Sequence, residues 1–448
     1  MVRARALALR ALTAVHRGRA ERLRDELDGH GVEGRELAFA WELTHGVLRR
    51  ERLLDHVLEG FAVRGLPKDP HLRVALRLGV QQLLFVPGMP AHAAVHETVE
   101  LVRQNRGFAN AMLRNVAQAI DLRTADPAAP MTELALGPTR VLRLPKPLPA
   151  DELSRLAIVH SLPDWLARRV DEQHGREGLT TVAEAASERP GVFLRTGPSV
   201  QRATLAAELV AAGVEVEDCE HPRLLRWTGG ESPFATAPFR VGRFVVQDPT
   251  ALAAVEAVPC GPGDTVVDLC AAPGTKTTWL AERVRPGGRV FAYDPDERRR
   301  QRIADNVERL RLEDVVEVVD DPSRLPEADC VLADVPCSNT GVLGRRVEVR
   351  RRLRPTTFAG LVSQQREVLR QALRSTRPGG ATVYATCSID REENDGVVDA
   401  ALGDPDAPAA TLVSRRLTLP RAGHHDGGYV AVLRRAPAPG VAGSGGAG

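Results

Sequence analysis

The stretch Thr265-Val-Val-Asp-Leu-Cys-Ala-Ala-Pro-Gly-Thr-Lys-Thr277 runs from a short apolar β-type segment through a turn of small residues into helical spacing. Four further β-rich runs follow, RVFAYD (289–294), VVEVVD (315–320), CVLADV (330–335) and ATVYATC (381–387), alternating with helical stretches. This alternation predicts an α/β fold built on a doubly wound, mostly parallel sheet. In such sheets ligands bind beyond the carboxyl ends of the strands. Each chemistry-bearing motif of the chain falls at one of those ends.

The turn after the first run carries a ligand expectation of its own. Small residues and Gly274 let backbone come close to a ligand, and the helix start offers free N–H groups to a carboxylate or phosphate. Lys276 adds a cation there. GxGxxG and GxxxxGK[ST] are both absent, which weighs against dinucleotide and nucleoside-triphosphate loops. Asp294, 26 positions after Asp268, ends the second run, where an acid can accept both hydroxyls of a ribose. The competing reading of Asp294 is a helix N-cap. An Asp of the pair Asp320–Asp321 closes the third run and faces an adenine edge; spacing does not separate the two, and Asp321 is chosen. The three ends describe S-adenosylmethionine better than a nicotinamide cofactor. The cofactor set is Cys270, Ala271, Ala272, Pro273, Gly274, Thr275, Lys276, Asp294, Asp321 and Asp334.

Outward from this region the chain divides by composition. At 448 residues it is long enough for two or three domains. Residues 3–118 show helical periodicity almost throughout, predicting five to seven helices, with 18 Lys/Arg against 13 Asp/Glu. The basic, Arg-interrupted start reads as a helix rather than a secretion signal. Residues 121–150 are Pro-rich and read as a linker. Residues 151–240 read as a small α+β module, 241–434 as the α/β domain and 435–448 as a disordered tail. No apolar run is long enough to cross a bilayer. Six cysteines without a CxxC pair fit reduced thiols in a cytoplasmic protein, and a monomer is expected.

Asp334-Val-Pro-Cys-Ser-Asn-Thr-Gly341 follows the fourth run, and Tyr384-Ala-Thr-Cys-Ser388 ends the fifth. A lone cysteine is usually a small core residue. Two at neighbouring strand ends, each flanked by hydroxyl residues, suggest paired chemistry. A zinc site needs further His or Cys at ligand spacing, and none is present, so no metal is expected.

DLCAAPGTKT, ADVPCSNTG and YATCS resemble the signature motifs of the Nop/Sun family of RNA cytosine-5 methyltransferases. VGRFVVQDPTA (241–251) resembles the segment ahead of that family's first strand, and REEND (391–395) its glutamate-rich continuation. Residues 3–118, notably LRLGVQQLLF, HAAVHETVELV and FANAMLRNV, resemble a NusB-like RNA-binding domain. The resemblance implies a Rossmann-like class I methyltransferase domain preceded by an all-α NusB-like domain and a small α+β module. It implies S-adenosylmethionine as cofactor, Cys387 as the nucleophile, Cys337 as the release residue and Asp334 as the contact to the cytosine N3/N4 edge. The two-domain arrangement implies 16S rRNA as substrate. Thr275 departs from the family pattern, standing where a second Gly is usual.

The pairing has an independent chemical reason. C5 of cytosine is a poor nucleophile until a thiolate adds to C6; after methyl transfer the C5 proton and the thiol must both leave. Residues 345–377 hold ten Arg against two Glu, a segment of one sign between the two cysteine motifs. Arg345, Arg346, Arg350 and Arg351 are therefore expected to hold the RNA backbone. Two alternatives stand beside this reading. One is the same chemistry on tRNA or another rRNA site; the other is a non-catalytic RNA-binding ribosome assembly factor.

Overall fold

Apolar residues at three- and four-residue spacing in the first 118 positions become seven helices: Val2–His16, Leu23–Leu27, Gly34–Arg49, Glu51–Phe61, Pro70–Phe85, Ala91–Leu101 and Arg106–Gln118. Local chemistry sets some of their ends. The Asp69 carboxylate accepts the His71 and Leu72 amides while Pro70 occupies the first turn, where no intrahelical N–H is lost. Leu43, Leu54, Leu58, Leu76, Leu78 and Leu113 are fully buried in the shared core. An ion-pair group of Arg77, Arg73, Asp55 and Glu51 joins the fourth and fifth helices. The computed structural model describes residues 2–19, 23–28, 30–63, 65–230 and 232–438.

The expected linker at 121–150 is structured. Strands Ile120–Asp121, Glu133–Ala135 and Val141–Arg143 form a small antiparallel sheet. Leu134, Leu142, Leu144 and Leu148 enter the helical core. Prolines mark its turns rather than a loose tether. The helices Glu152–Val159 and Asp164–Ser187 also belong to this first unit, which takes Met1–Ser187 together with Leu343–Arg352. The expected α+β module of 151–240 therefore loses residues 151–187. What remains is a four-stranded antiparallel sheet of Val216–Asp218, Leu224–Trp227, Val192–Thr196 and Phe244–Val246, covered by helix Arg202–Ala211. Residues 439–448 of the expected tail lie outside the described residues, while Arg435 ends a strand.

The second unit holds a seven-stranded sheet. Its strands are β1 (Thr265–Asp268), β2 (Arg289–Tyr293), β3 (Val316–Val319), β4 (Ala328–Asp334), β5 (Thr376–Thr386), β6 (Ala410–Thr418) and β7 (Gly428–Arg435). The spatial order is β3-β2-β1-β4-β5-β7-β6. The first five pair in parallel, and β7 adds antiparallel to β5 and to β6. This is the doubly wound, Rossmann-like sheet that the strand runs predict, extended by an antiparallel pair. The β6–β7 hairpin was not foreseen, because β6 is largely exposed and reads as polar sequence. Helix α1 (Thr275–Val284) follows β1, and α2 (Glu297–Leu310) follows β2. Val266, Val267, Val331 and Leu332 are fully buried, as central parallel strands covered on both faces require.

Arg195 ties the small sheet to α1. Its buried guanidinium donates to the Thr275 carbonyl and the Thr278 hydroxyl and pairs with Glu282. Burial pushes its pKa down to about 10. Arg195 and Arg223 both lie against the Trp279 ring.

Candidate active site

The parallel register fixes the site. Leu332 of β4 is level with Asp268 of β1, and Asp334 with Ala385 of β5, so the three strand ends that carry the motifs open together.

At the β1 end, Asp268 is fully buried. Its Oδ2 accepts the Thr277 hydroxyl at 2.8 Å, while Oδ1 has no protein partner. Burial pushes its pKa up to about 7, against a partial offset from the Thr277 hydrogen bond. An orphaned, buried acceptor at the mouth of the small-residue turn suits a cationic ligand group such as an amino acid ammonium. Sequence reasoning passed over Asp268 as part of the strand. Gly274 caps α1 with φ +98°, and a Cβ there would meet the Ile303 backbone at 3.3 Å. Only glycine holds this turn without strain. The Cys270 thiol is raised by burial and is inert. Ala271 and Ala272 are tied by their amides to the Tyr293 carbonyl and the Asp294 carboxylate, and Pro273 by its carbonyl to Asn306.

Asp294 lies just beyond β2, fully buried. It accepts from the Asp296 and Ala272 amides and pairs with Arg299 at 3.2 Å. The cap of α2 is Asp296, not Asp294. Arg299, whose side chain is 43% exposed, stands over this carboxylate and also donates to the Ala272 carbonyl. Asp321 is exposed beyond β3 and accepts the Ser323 amide; Asp320 pairs with Arg324. The donor set at the three ends, one acid at each and a glycine-capped helix start, fits an adenosine-bearing amino acid cofactor.

Beyond β4 and β5 the two thiols meet. Cys337 Sγ lies 3.2 Å from Cys387 Sγ, and the Cys387 thiol also donates to the Asn339 side-chain oxygen at 3.3 Å. Asn339 adopts a left-handed conformation with φ +61° and donates back to the Cys337 carbonyl. The Cys337 thiol is held well above its ordinary range, first by the hydrogen bond with Cys387 and then by burial. Asp334, the last residue of β4, accepts Lys276 Nζ at 2.5 Å. Burial pulls the Lys276 ammonium down, but the Asp334 carboxylate outweighs it and the net displacement is upward. Lys276 therefore faces Asp334 rather than the cofactor turn alone. Gly341 donates its amide to the Cys387 carbonyl at 3.0 Å, and a Cβ there would strike the Gly427 carbonyl at 2.5 Å. Asn339, Gln365, Ser338, Ser388 and Glu393 surround the thiols and were missed as individuals. The Ser/Thr flanks and the REEND run were their signal.

The arginine segment is corrected. Arg350 is buried, and its guanidinium donates to the carbonyls of Arg49, His160, Ala186 and Leu343. Arg351 pairs with Glu51 inside the helical unit. Neither presents a free cation to phosphate. Arg345 is half-buried, and Arg346 is the exposed member of the four. Local charge density could not reveal this, because three of the four carbonyls come from residues 164, 190 and 301 positions away. Arg350→Ala is expected to destabilise the helical unit by roughly 3 kcal/mol through unsatisfied carbonyls, read as a lower unfolding midpoint in urea. Arg346→Glu is expected to leave that midpoint within about 0.5 kcal/mol. A groove of about 730 Å³ in the helical unit is lined by Arg10, Arg17, Arg19 and Arg103, with Glu26 and Asp69 beside them.

Among the described residues no group of three or more His, Cys, Asp or Glu is placed to hold a metal ion. No described helix is long and apolar enough to cross a membrane.

Comparison with known proteins adds the following. The model of the 16S rRNA methyltransferase RsmB/F family matches residues 257–434, and that of the NusB family residues 2–118. The ribosomal RNA small subunit methyltransferase B of Thermus thermophilus is 32% identical over 450 residues, covering 96% of this chain and 97% of the relative. The protein of the same name from Vibrio cholerae is 32% identical, covering 90% and 91%. The crystal structure of PH0851 superposes with a TM-score of 0.74 at 26% identity, covering 96% of this chain and 99% of that one.

Proposed function

The chain belongs to the RsmB/F family of 16S rRNA methyltransferases, and from that premise we propose that it methylates C5 of a cytosine in 16S rRNA through a covalent adduct on Cys387. The observation that carries this is the 3.2 Å approach of two thiols at the ends of β4 and β5, beside the Asp334–Lys276 pair.

S-adenosylmethionine, when bound, supplies a methyl group activated by its sulfonium. The backbone of residues 270–275, with Asp268, Asp294 and Asp321, would hold it. The resemblance of YATCS and ADVPCSNTG to the family motifs gives attack to Cys387 and release to Cys337, whose thiol is raised by its hydrogen bond with Cys387 and by burial. The Cys387 sulfur adds to C6, and the C5–C6 π electrons become available at C5. The Asp334 carboxylate, held by Lys276, meets the N3/N4 edge of the base and favours the ring form protonated at N3, which accepts this addition. After methylation at C5, solvent water takes the C5 proton, the C5–H pair re-forms the C5–C6 double bond and the C6–S pair departs on the Cys387 sulfur; Cys337, in contact with that sulfur, assists the release. The base must be turned out of its stack to enter. RNA is held by Arg345 and Arg346 and by the arginine-lined groove of the helical unit.

In a Cys337→Ala variant a denaturant-stable protein–RNA adduct is expected to accumulate in cells, and the attached RNA to be 16S rRNA. Recovery of tRNA instead would keep the chemistry and overturn the substrate. No adduct, with no methyl transfer by the wild type, would support a non-catalytic assembly role.

A further inference from the structure

Glu393 lies in the segment after Cys387 and is fully buried. Its Oε1 accepts the Ser338 amide at 2.8 Å and the Gln365 side-chain amide at 2.9 Å. Its Oε2 accepts the Ser338 and Ser388 hydroxyls, both at 2.5 Å. All four partners are neutral donors. Burying a carboxylate is costly unless its lone pairs are satisfied, and here they are.

The partners are not scattered. Ser338 follows Cys337 directly, and Ser388 follows Cys387 directly. Gln365 also donates to the Pro336 carbonyl, on the other side of Cys337. Thr340 adds a cross-brace, hydrogen-bonding the Ser388 hydroxyl at 2.9 Å and accepting the Ile389 amide. Glu393 is itself anchored, because the Tyr384 hydroxyl of β5 donates to its carbonyl at 2.6 Å. One carboxylate thus grips the residue next to each thiol, while the thiols themselves are joined by no covalent bond.

We propose that Glu393 is a positioning residue whose carboxylate clasps the two cysteine turns together and so sets the distance between Cys337 and Cys387. This deepens the proposed reaction and rests on it for its catalytic meaning. Attack and release use two sulfurs on one base, so both must stand beside the same ring carbons.

The test uses the full chain and two readouts. Phenylarsine oxide bridges a pair of thiols, forming two As–S bonds with loss of one water, and so reports their spacing without any methyl transfer. Cys337→Ala gives the background from the other cysteines. Glu393→Gln is expected to bind the arsenical at least tenfold more weakly than wild type. Its kcat on 16S rRNA is expected to fall about 10²-fold, with the KM for RNA and the cofactor Kd within about twofold. Ser338→Ala combined with Ser388→Ala is expected to give a similar loss, to which Glu393→Gln adds little. Unchanged arsenical affinity would overturn the proposal, and so would an equal loss of cofactor affinity, which marks general loosening. If Glu393→Gln does not fold, Ser388→Ala, which removes one arm, is judged by the same two criteria. If the wild type methylates no RNA, the arsenical result still decides the clasp, and only the functional reading falls.

Discussion

Cys387→Ala is expected to lower kcat for methyl transfer by more than about 10⁴-fold, in line with removal of an enzyme's covalent nucleophile. The argument is chemical before it is structural. Without sulfur at C6, the cytosine C5 carbon has no enamine character, and positioning alone does not replace it. The structure makes the effect specific. Cys387 sits beyond the last residue of β5, and its thiol contacts Cys337 and Asn339 but none of residues 268–275 through a hydrogen bond. Cofactor affinity, measured by calorimetry, is therefore expected to stay within about twofold. The adduct formed by Cys337→Ala is expected to vanish when Cys387→Ala is added. Residual activity within tenfold of wild type would show that Cys387 is not the attacking group.

Asp334→Asn is the second large effect, a fall in kcat of about 10³-fold, the range of a lost electrostatic contact to the reacting group. Two things are lost together: the negative charge at the base edge and the counter-charge of Lys276. In the wild type, the Asp334 carboxylate overcomes the burial that pulls Lys276 down, so the ammonium is favoured in the folded state. A lysine raised in this way contributes stability that is fully present below its unfolded value near 10.5 and is lost as pH rises through the higher folded value. With asparagine in place, burial acts on Lys276 against only the smaller pull of Asp268 and Cys387. The variant is expected to melt below the wild type at pH 7, and the gap to close above about pH 10.5. A melting difference that does not change with pH would separate Asp334 from Lys276. Lys276→Met should reproduce the stability effect with a smaller loss of kcat.

The sequence carried the methyltransferase fold through its strand runs. Each of the five foreseen β-runs became a strand within a few residues of the expected limits, because buried parallel strands are written as short Val/Ala/Leu-rich segments. Asp268, Cys337, Asp334 and Cys387 fall where strand ends must fall. What stayed hidden depends on partners distant in the chain. Arg350 looks like its neighbours in sequence, yet its role is set by the carbonyls of Arg49, His160 and Ala186. Residues 121–150 look loose because three strands of two or three residues leave no periodic trace. Glu393 sits among other acids, and only the fold shows that Ser338 and Gln365 converge on it.

The segment Leu343–Arg352 has a consequence for how the chain is made. These ten residues join the helical unit, where Val347 is fully buried and Arg350 satisfies four carbonyls. On the ribosome the helices up to Ser187 emerge first, but their unit cannot close until residue 352 has left the exit tunnel. By then β1 through β4 have emerged as well. Order of synthesis and order of completion therefore differ: the part made first waits for a strip encoded inside the catalytic half, and both units mature within the last hundred residues of translation. An unfinished chain thus exposes Leu- and Val-lined surface rather than a working RNA-binding module, which places its period of greatest aggregation risk, and of greatest need for a chaperone, before the active site exists.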